Sequence, residues 1–301
     1  MLIDAKELVA QELLKYDIFS NIEFPNFEIK VLINYTYVLK QISKFVFSEK
    51  IFLLLLKLSN TINVTIKRNC LSGIKDCFLH FDQTQFEHYY KFFPISVMKD
   101  YLVNKDFKEI ILQILTDITF KELDIHILIS DIKCGDLIQM FCNELYSESS
   151  KIILISLKLL GNLAFYFADY IREKINMSKL SELFLESGIS LRKEIVNLIS
   201  LILANCDDKS YIELCQNEKL ISFFSESLDE DDQEMNKISL MGIDNFLKKS
   251  YLIIKEELYK EIAFLNLDEK LLQLCEHKDE EISEKAQKLC EYLYNNDKMK
   301  D

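Results

Sequence analysis

Apolar side chains along this chain recur at three- and four-residue spacings, the mark of helices that each bury one face. In ISLMGIDNFLKK, which ends at Lys249, the residues Ile238, Leu240, Met241, Ile243, Phe246 and Leu247 form an apolar stripe. Lys237, Asp244, Lys248 and Lys249 hold the polar side. The same pattern predicts helices over Ile3–Phe19, Phe27–Phe47, Lys50–Leu58, Val64–Leu79 and Phe86–Val103, the last interrupted at Pro94. It continues over Phe107–Thr119, a split pair across Ile125–Leu145, then Lys151–Tyr170, Leu180–Leu185, Leu191–Ala204, Tyr211–Leu228 and Lys255–Tyr294. Pro25 stops the first helix, because a proline lacks the N–H that a helix interior needs. Gly135 suits the left-handed residue just past a helix end. The acidic run Asp229–Glu234 reads as a solvated turn whose carboxylates favour the N-terminus of the next helix. No alternating run bounded by turn residues predicts a strand.

The helices form a ladder when aligned on Asn245. The matching positions are Gln41, Asp76, Asp117, Asn162 and Leu201, at steps of 35, 41, 45, 39 and 44 residues. The mean step, about 41, falls in the armadillo and HEAT range of roughly 40–47. A domain built on one central core has no reason to keep such a step. A stack of helical units does, since each unit buries its apolar face only against its neighbours. At the C-terminal end, Leu271, Leu274, Ile282 and Leu289 are the expected buried side chains of a capping pair.

Composition sharpens this picture. The chain has 301 residues, 49% of them hydrophobic, with only two prolines and five glycines. That argues for helices joined by short polar turns. The net charge of −13 is poorly suited to nucleic acid, whose binding needs phosphates neutralised by Lys and Arg. It suits basic partners, and equally a surface that is acidic only for solubility. Eight cysteines lie within helical patterns with no CxxC pair, as expected of reduced thiols in a cytosolic or nuclear protein. No charged-then-apolar leader opens the sequence. The most apolar runs, near Leu55 and Leu159, are too short or carry a lysine, so no membrane span is expected.

Chemistry finds no foothold. His80, His88, His126 and His277 are scattered, without the i,i+4 spacing of a metal site. No glycine-rich loop follows a strand to cradle phosphate, and no Ser, Cys or Lys stands out as an activated nucleophile. The expected work is binding, with no catalysis, cofactor or metal.

Over roughly residues 105–296 the sequence resembles the importin-α family, the karyopherin adaptors that carry nuclear localisation signals. EKLISFFSESLDEDDQEMNKISLMGIDNFLKKS is similar to that family's penultimate repeat, and LDEKLLQLCEHKDEEISEKAQKLCEYLY to its terminal one. ISDIKCGDLIQMF resembles a repeat opening, and LKLLGNLAF a third helix. Ladder and resemblance together give an expected all-α fold, an armadillo-type right-handed superhelical solenoid of about seven repeats. It is expected as one domain over residues 1–301, with a divergent helix and loop at 1–30 and a capping repeat at 251–296.

The resemblance implies a nuclear import adaptor, working in cytoplasm and nucleus, that binds basic signal peptides in a concave groove. It implies importin-β and an export factor as further partners. In the family, third helices line that groove with tryptophan–asparagine pairs four residues apart. This chain has no tryptophan; Tyr37, Ser72, Gln113, Lys158, Asn197 and Met241 stand at the tryptophan positions. Only Asn162 and Asn245 keep the asparagine, with Asp76 and Asp117 as acidic replacements. The groove residues implied are therefore Tyr37, Gln41, Asp76, Asp117, Asn162 and Asn245. The family's arginine-rich N-terminal segment has no counterpart, since residues 1–30 carry three lysines against six acids. The alternative is an armadillo scaffold without a nuclear role.

Overall fold

The computed structural model describes residues 28–120, 137–217, 220–249 and 262–297, together with positions 10, 12 and 260. The predicted helix Ile3–Phe19 apart from positions 10 and 12, the break at Pro25, residues 125–136 with His126, Cys134 and Gly135, and the start at Lys255 lie outside them. Among the described residues every regular element is a helix. The chain divides into two compact units, Met1–Leu137 and Ile138–Asp301.

The first unit holds α1 (Ile29–Ser43), α2 (Glu49–Ser59), α3 (Val64–His80), α4 (Gln83–Tyr90), α5 (Ile95–Leu102) and α6 (Lys108–Phe120). Their ends follow from local chemistry. The Asn63 side chain accepts the Ile66 N–H to open α3. Asp82 and Gln85 form a reciprocal capping box at α4. Pro94, predicted to interrupt a helix, is the last residue before α5, and the Ile95 N–H is satisfied by the Tyr90 hydroxyl. The long helices pack in series, α1 on α3 and α3 on α6, with α2 and α5 behind them. Phe47, Phe52, Phe81 and Tyr89 fill the space between with ring centroids 4.9–5.4 Å apart, a spacing typical of edge and stacked aromatic pairs. Gly73 lets α2 approach α3, for a Cβ there would lie 2.8 Å from Leu55.

The second unit runs through α7 (Leu137–Asn143), a 3-10 turn, α8 (Ser150–Lys174), α9 (Met177–Glu186), α10 (Ile189–Asn205) and α11 (Asp208–Asn217). It ends with α12 (Leu220–Ser227), α13 (Gln233–Lys248), α14 (Leu267–Leu274) and α15 (Glu280–Asp297). The stretch Tyr211–Leu228, read as one segment, belongs to the two helices α11 and α12. The long helices again pack in order, α8 on α10, α10 on α13 and α13 on α15, each backed by shorter ones. In α8 the backbone leaves the helical region at Phe167 (φ −134°, ψ 26°). Its first part is thereby a ladder helix, and the final turns open the following group. Seven long helices among the described residues, α1, α3, α6, α8, α10, α13 and α15, therefore occupy the expected series. The fold is an all-α solenoid.

Two expectations change. The apolar run around Leu159 is not too short to span a bilayer, for α8 has 25 residues and passes that test by length and composition. Most of its apolar side chains are instead buried inside the unit, including Leu157, Leu160, Leu163 and Ala164. In the C-terminal pair Leu271, Ile282 and Leu289 are buried, but Leu274 is half-exposed. Leu271→Ala is accordingly the costly substitution, roughly 2–5 kcal/mol, with Leu274→Ala well below it in the same urea titration.

Gly242 supplies the second test. It sits where α13 crosses α12, and a Cβ there would overlap the Phe224 ring. Gly242→Ala is expected to cost about 1–3 kcal/mol by overpacking, and Phe224→Leu in the same chain should recover part of the loss of urea midpoint.

Candidate peptide-binding surface

In the second unit a lysine near the start of one ladder helix reaches the N-cap aspartate of the next. Lys193 of α10 lies 2.8 Å from both Asp232 and Glu234. Lys237 of α13 repeats this with Asp279 at 2.9 Å and Glu281 at 2.5 Å. Asp232 and Asp279 at the same time accept backbone N–H groups of α13 and α15, from Met235 and from Ile282. One carboxylate therefore satisfies orphan donors at a helix start and the ammonium of the preceding repeat. Arg192 to Glu230 at 2.6 Å and Lys270 to Asp229 at 2.8 Å add two further links. The acidic run Asp229–Glu234 caps a helix as expected, and beyond that it is an ion-pair hub.

The ladder positions Leu201 and Asn245 follow the clamp lysines Lys193 and Lys237 by eight residues on the same helices. Gly161 of α8 faces α10, where a Cβ would sit 3.7 Å from Leu201 and 3.9 Å from the Asn197 amide. The Asn245 amide of α13 donates to the carbonyl and hydroxyl oxygens of Ser200, at 3.2 and 3.1 Å. Asn162, Leu201 and Asn245 thus stand on successive helices in one row, all half-buried. Asn245 thereby spends its NH₂ inside the protein. Lys158, a cation on the exposed side of α8, turns to Glu194 of α10 at 3.5 Å.

In the first unit Gln41, Asp76 and Asp117 stand on α1, α3 and α6. Lys44 donates to Gln41 at 3.1 Å, and Lys75 to Gln113 at 3.5 Å, one helical turn before Asp117. Tyr37, a turn before Gln41, is 54% exposed. Asp76 is only 8% exposed and has Lys75 at 3.7 Å. Burial raises its pKa, and the fields of Lys75, Lys44 and Lys40 oppose that rise. Three lysines of the protein already surround the carboxylate that was expected to receive one from a ligand.

Sequence reasoning passed over two side chains on this surface. Phe165 and Tyr166 follow Asn162 by three and four residues and are 59% and 45% exposed. The i+3 and i+4 spacing was the signal available for them. Charge is also uneven, for residues 138–301 carry 31 Asp and Glu against 20 Lys and Arg. Among the described residues no group of three His, Cys, Asp or Glu side chains could hold a metal. Four of the seven described cysteines are buried. Burial raises the pKa of Cys70 and of Cys142 to about 12, so these thiols stay protonated at neutral pH.

No protein-family profile and no curated protein matches the chain. Solved structures do. An engineered protein from a structural-genomics consortium superposes with a TM-score of 0.71 at 14% identity, over 97% of this chain and 68% of its own. A designed armadillo repeat protein gives a TM-score of 0.66 at 17% identity, over 80% and 98%. Another designed armadillo repeat protein, in complex with the peptide (KR)4, gives 0.66 at 17% identity, over 81% and 99%. At such identities the likeness is one of fold, an armadillo-like stack of helices.

The clamps predict a pH dependence. Bonding to Lys193 holds Asp232 below the usual carboxylate range, and bonding to Lys237 does the same for Asp279. A carboxyl depressed in the folded state contributes stability that is complete above its unfolded pKa and lost as pH falls through the folded one. The urea midpoint should therefore drop as pH is lowered through and below about 4. Asp232→Asn with Asp279→Asn should lower the midpoint at neutral pH and flatten the acid limb.

Proposed function

We propose that this chain is a non-catalytic armadillo-repeat adaptor that holds an extended basic peptide along its ladder helices. Peptide binding by a repeat scaffold is the broad reading, and the row Asn162, Leu201 and Asn245 within a strongly acidic half carries it. Asparagine amides suit the peptide backbone, which offers both a donor and an acceptor at each residue. The surrounding acidic charge favours lysine and arginine side chains. A protein of similar fold in complex with (KR)4 supports the same chemistry.

The finer reading is a nuclear import adaptor resembling importin-α, moving between cytoplasm and nucleus with cargo signal peptides. On this reading importin-β and an export factor are further partners. A second reading, a peptide-binding scaffold without a nuclear role, is favoured by the lack of tryptophan and by the internal bonding of Asn245 and Asp76.

A labelled octapeptide of alternating lysine and arginine tests the broad claim by fluorescence anisotropy. Saturable binding is expected, weakening several-fold between about 0.05 and about 0.5 M salt as the Debye length shortens. A glutamate octapeptide should not compete. Absence of binding by the basic peptide would remove the basic-peptide reading, and with it the import role.

A further inference from the structure

We infer that Phe165 and Tyr166 of α8 form an aromatic platform across which the stem of a lysine or arginine of the bound peptide lies. The inference rests on the basic-peptide reading and names the residues that would replace the missing indoles. Three observations carry it. Phe165 and Tyr166 stand three and four residues after Asn162, before the break at Phe167, and are exposed on a helix whose apolar side chains are mostly buried. They therefore belong to the surface that carries the ladder asparagine.

The neighbouring helix leaves the rings uncovered. Gly161 meets Leu201 of α10, and the Asp207 N–H donates to Asp169 Oδ1 at 2.9 Å, which fixes the register at both ends. Between those points α10 presents Ala204 and Asn205, both exposed. Phe165 and Tyr166 stay 59% and 45% exposed.

The charges along the stripe favour a cationic occupant. Asp169, just past the break at Phe167, adds a carboxylate to the same helix, while the ammonium of Lys158 is directed to Glu194. A ring face attracts an ammonium or guanidinium through its quadrupole, and the methylene stem of the same side chain covers apolar surface. An acidic peptide would meet only repulsion from Asp169 and the 31-to-20 excess of acids in this half of the chain.

The test compares the alternating lysine–arginine octapeptide on the wild type and on Phe165→Ala/Tyr166→Ala. Both side chains are exposed, so the double variant should keep its unfolding midpoint while its Kd rises about tenfold. Tyr166→Phe keeps the ring and should bind as the wild type does, which separates the platform from any loss of fold. Equal affinity in the wild type and the double variant would overturn the platform and leave the peptide reading standing. No binding to the wild type would overturn both. Tighter binding of a glutamate octapeptide than of the basic one would overturn the cationic occupant.

Discussion

The structure of the second unit depends on one recurring contact, the laying of each ladder helix against the next. Everything else in the repeat serves to make that approach close and to fix its register. Gly161 brings α8 against Leu201 and Asn197, and Gly242 admits the Phe224 ring beneath α13. Apolar burial drives the stacking but is indifferent to sliding along the helix axis. The polar links remove that freedom. Lys193 on Asp232 and Lys237 on Asp279 fix the N-terminal ends of successive helices. Near the other end, the Asn245 amide on Ser200 and the Tyr292 hydroxyl on the Leu247 carbonyl fix them again. Each helix is held at two heights, so the row between them is placed by the scaffold before any ligand arrives.

That economy changes how the charge of the chain should be understood. A net charge of −13 describes the molecule as a whole, yet much of the acidity in Asp229–Glu234 is matched by Arg192, Lys193 and Lys270. Such exposed pairs add little stability one at a time. At Asp232 the pair coincides with a helix cap, which gives that carboxylate a second, backbone-bound reason to stay where it is. Acids engaged in this way offer a partner less attraction than a count suggests. Asp76 makes the same point in the first unit, where burial and three lysines leave its carboxylate occupied.

The helices and their order were legible in the sequence because they rest on spacing alone. The ladder of Gln41, Asp76, Asp117, Asn162, Leu201 and Asn245 falls on six of the seven long helices. The details that failed are those where spacing says nothing about what lies opposite. Leu274 has the periodicity of a core residue, but its side of α14 is only half-covered. The run around Leu159 was judged by its apolar stretch, whereas the helix extends to Lys174 through a bend at Phe167. The clamps were invisible for a related reason, since a lysine and a capping aspartate some 40 residues apart become partners only once the repeat is folded. Phe165 and Tyr166 were passed over because spacing does not say which face of α8 stays open.

Asn245 shows why a repeat that keeps the residue need not keep its role. A side-chain amide can donate and accept at once, which is what allows it to match both groups of a peptide unit. Asn245 gives its NH₂ to Ser200, so only its Oδ1 is left for a ligand, as an acceptor of one N–H. The bond that aligns α13 with α10 thus removes half of what the same side chain could offer outside. A surface whose polar groups serve the stack must draw affinity from groups that the stack does not use. On α8 those are aromatic rings, held at the surface by a helix whose opposite face is fully committed to the core. Ring faces need no hydrogen-bond partner to remain exposed, and they lose little conformational freedom when a side chain settles across them. Structural use of the polar positions and aromatic exposure beside them therefore belong together, as two consequences of the same close packing.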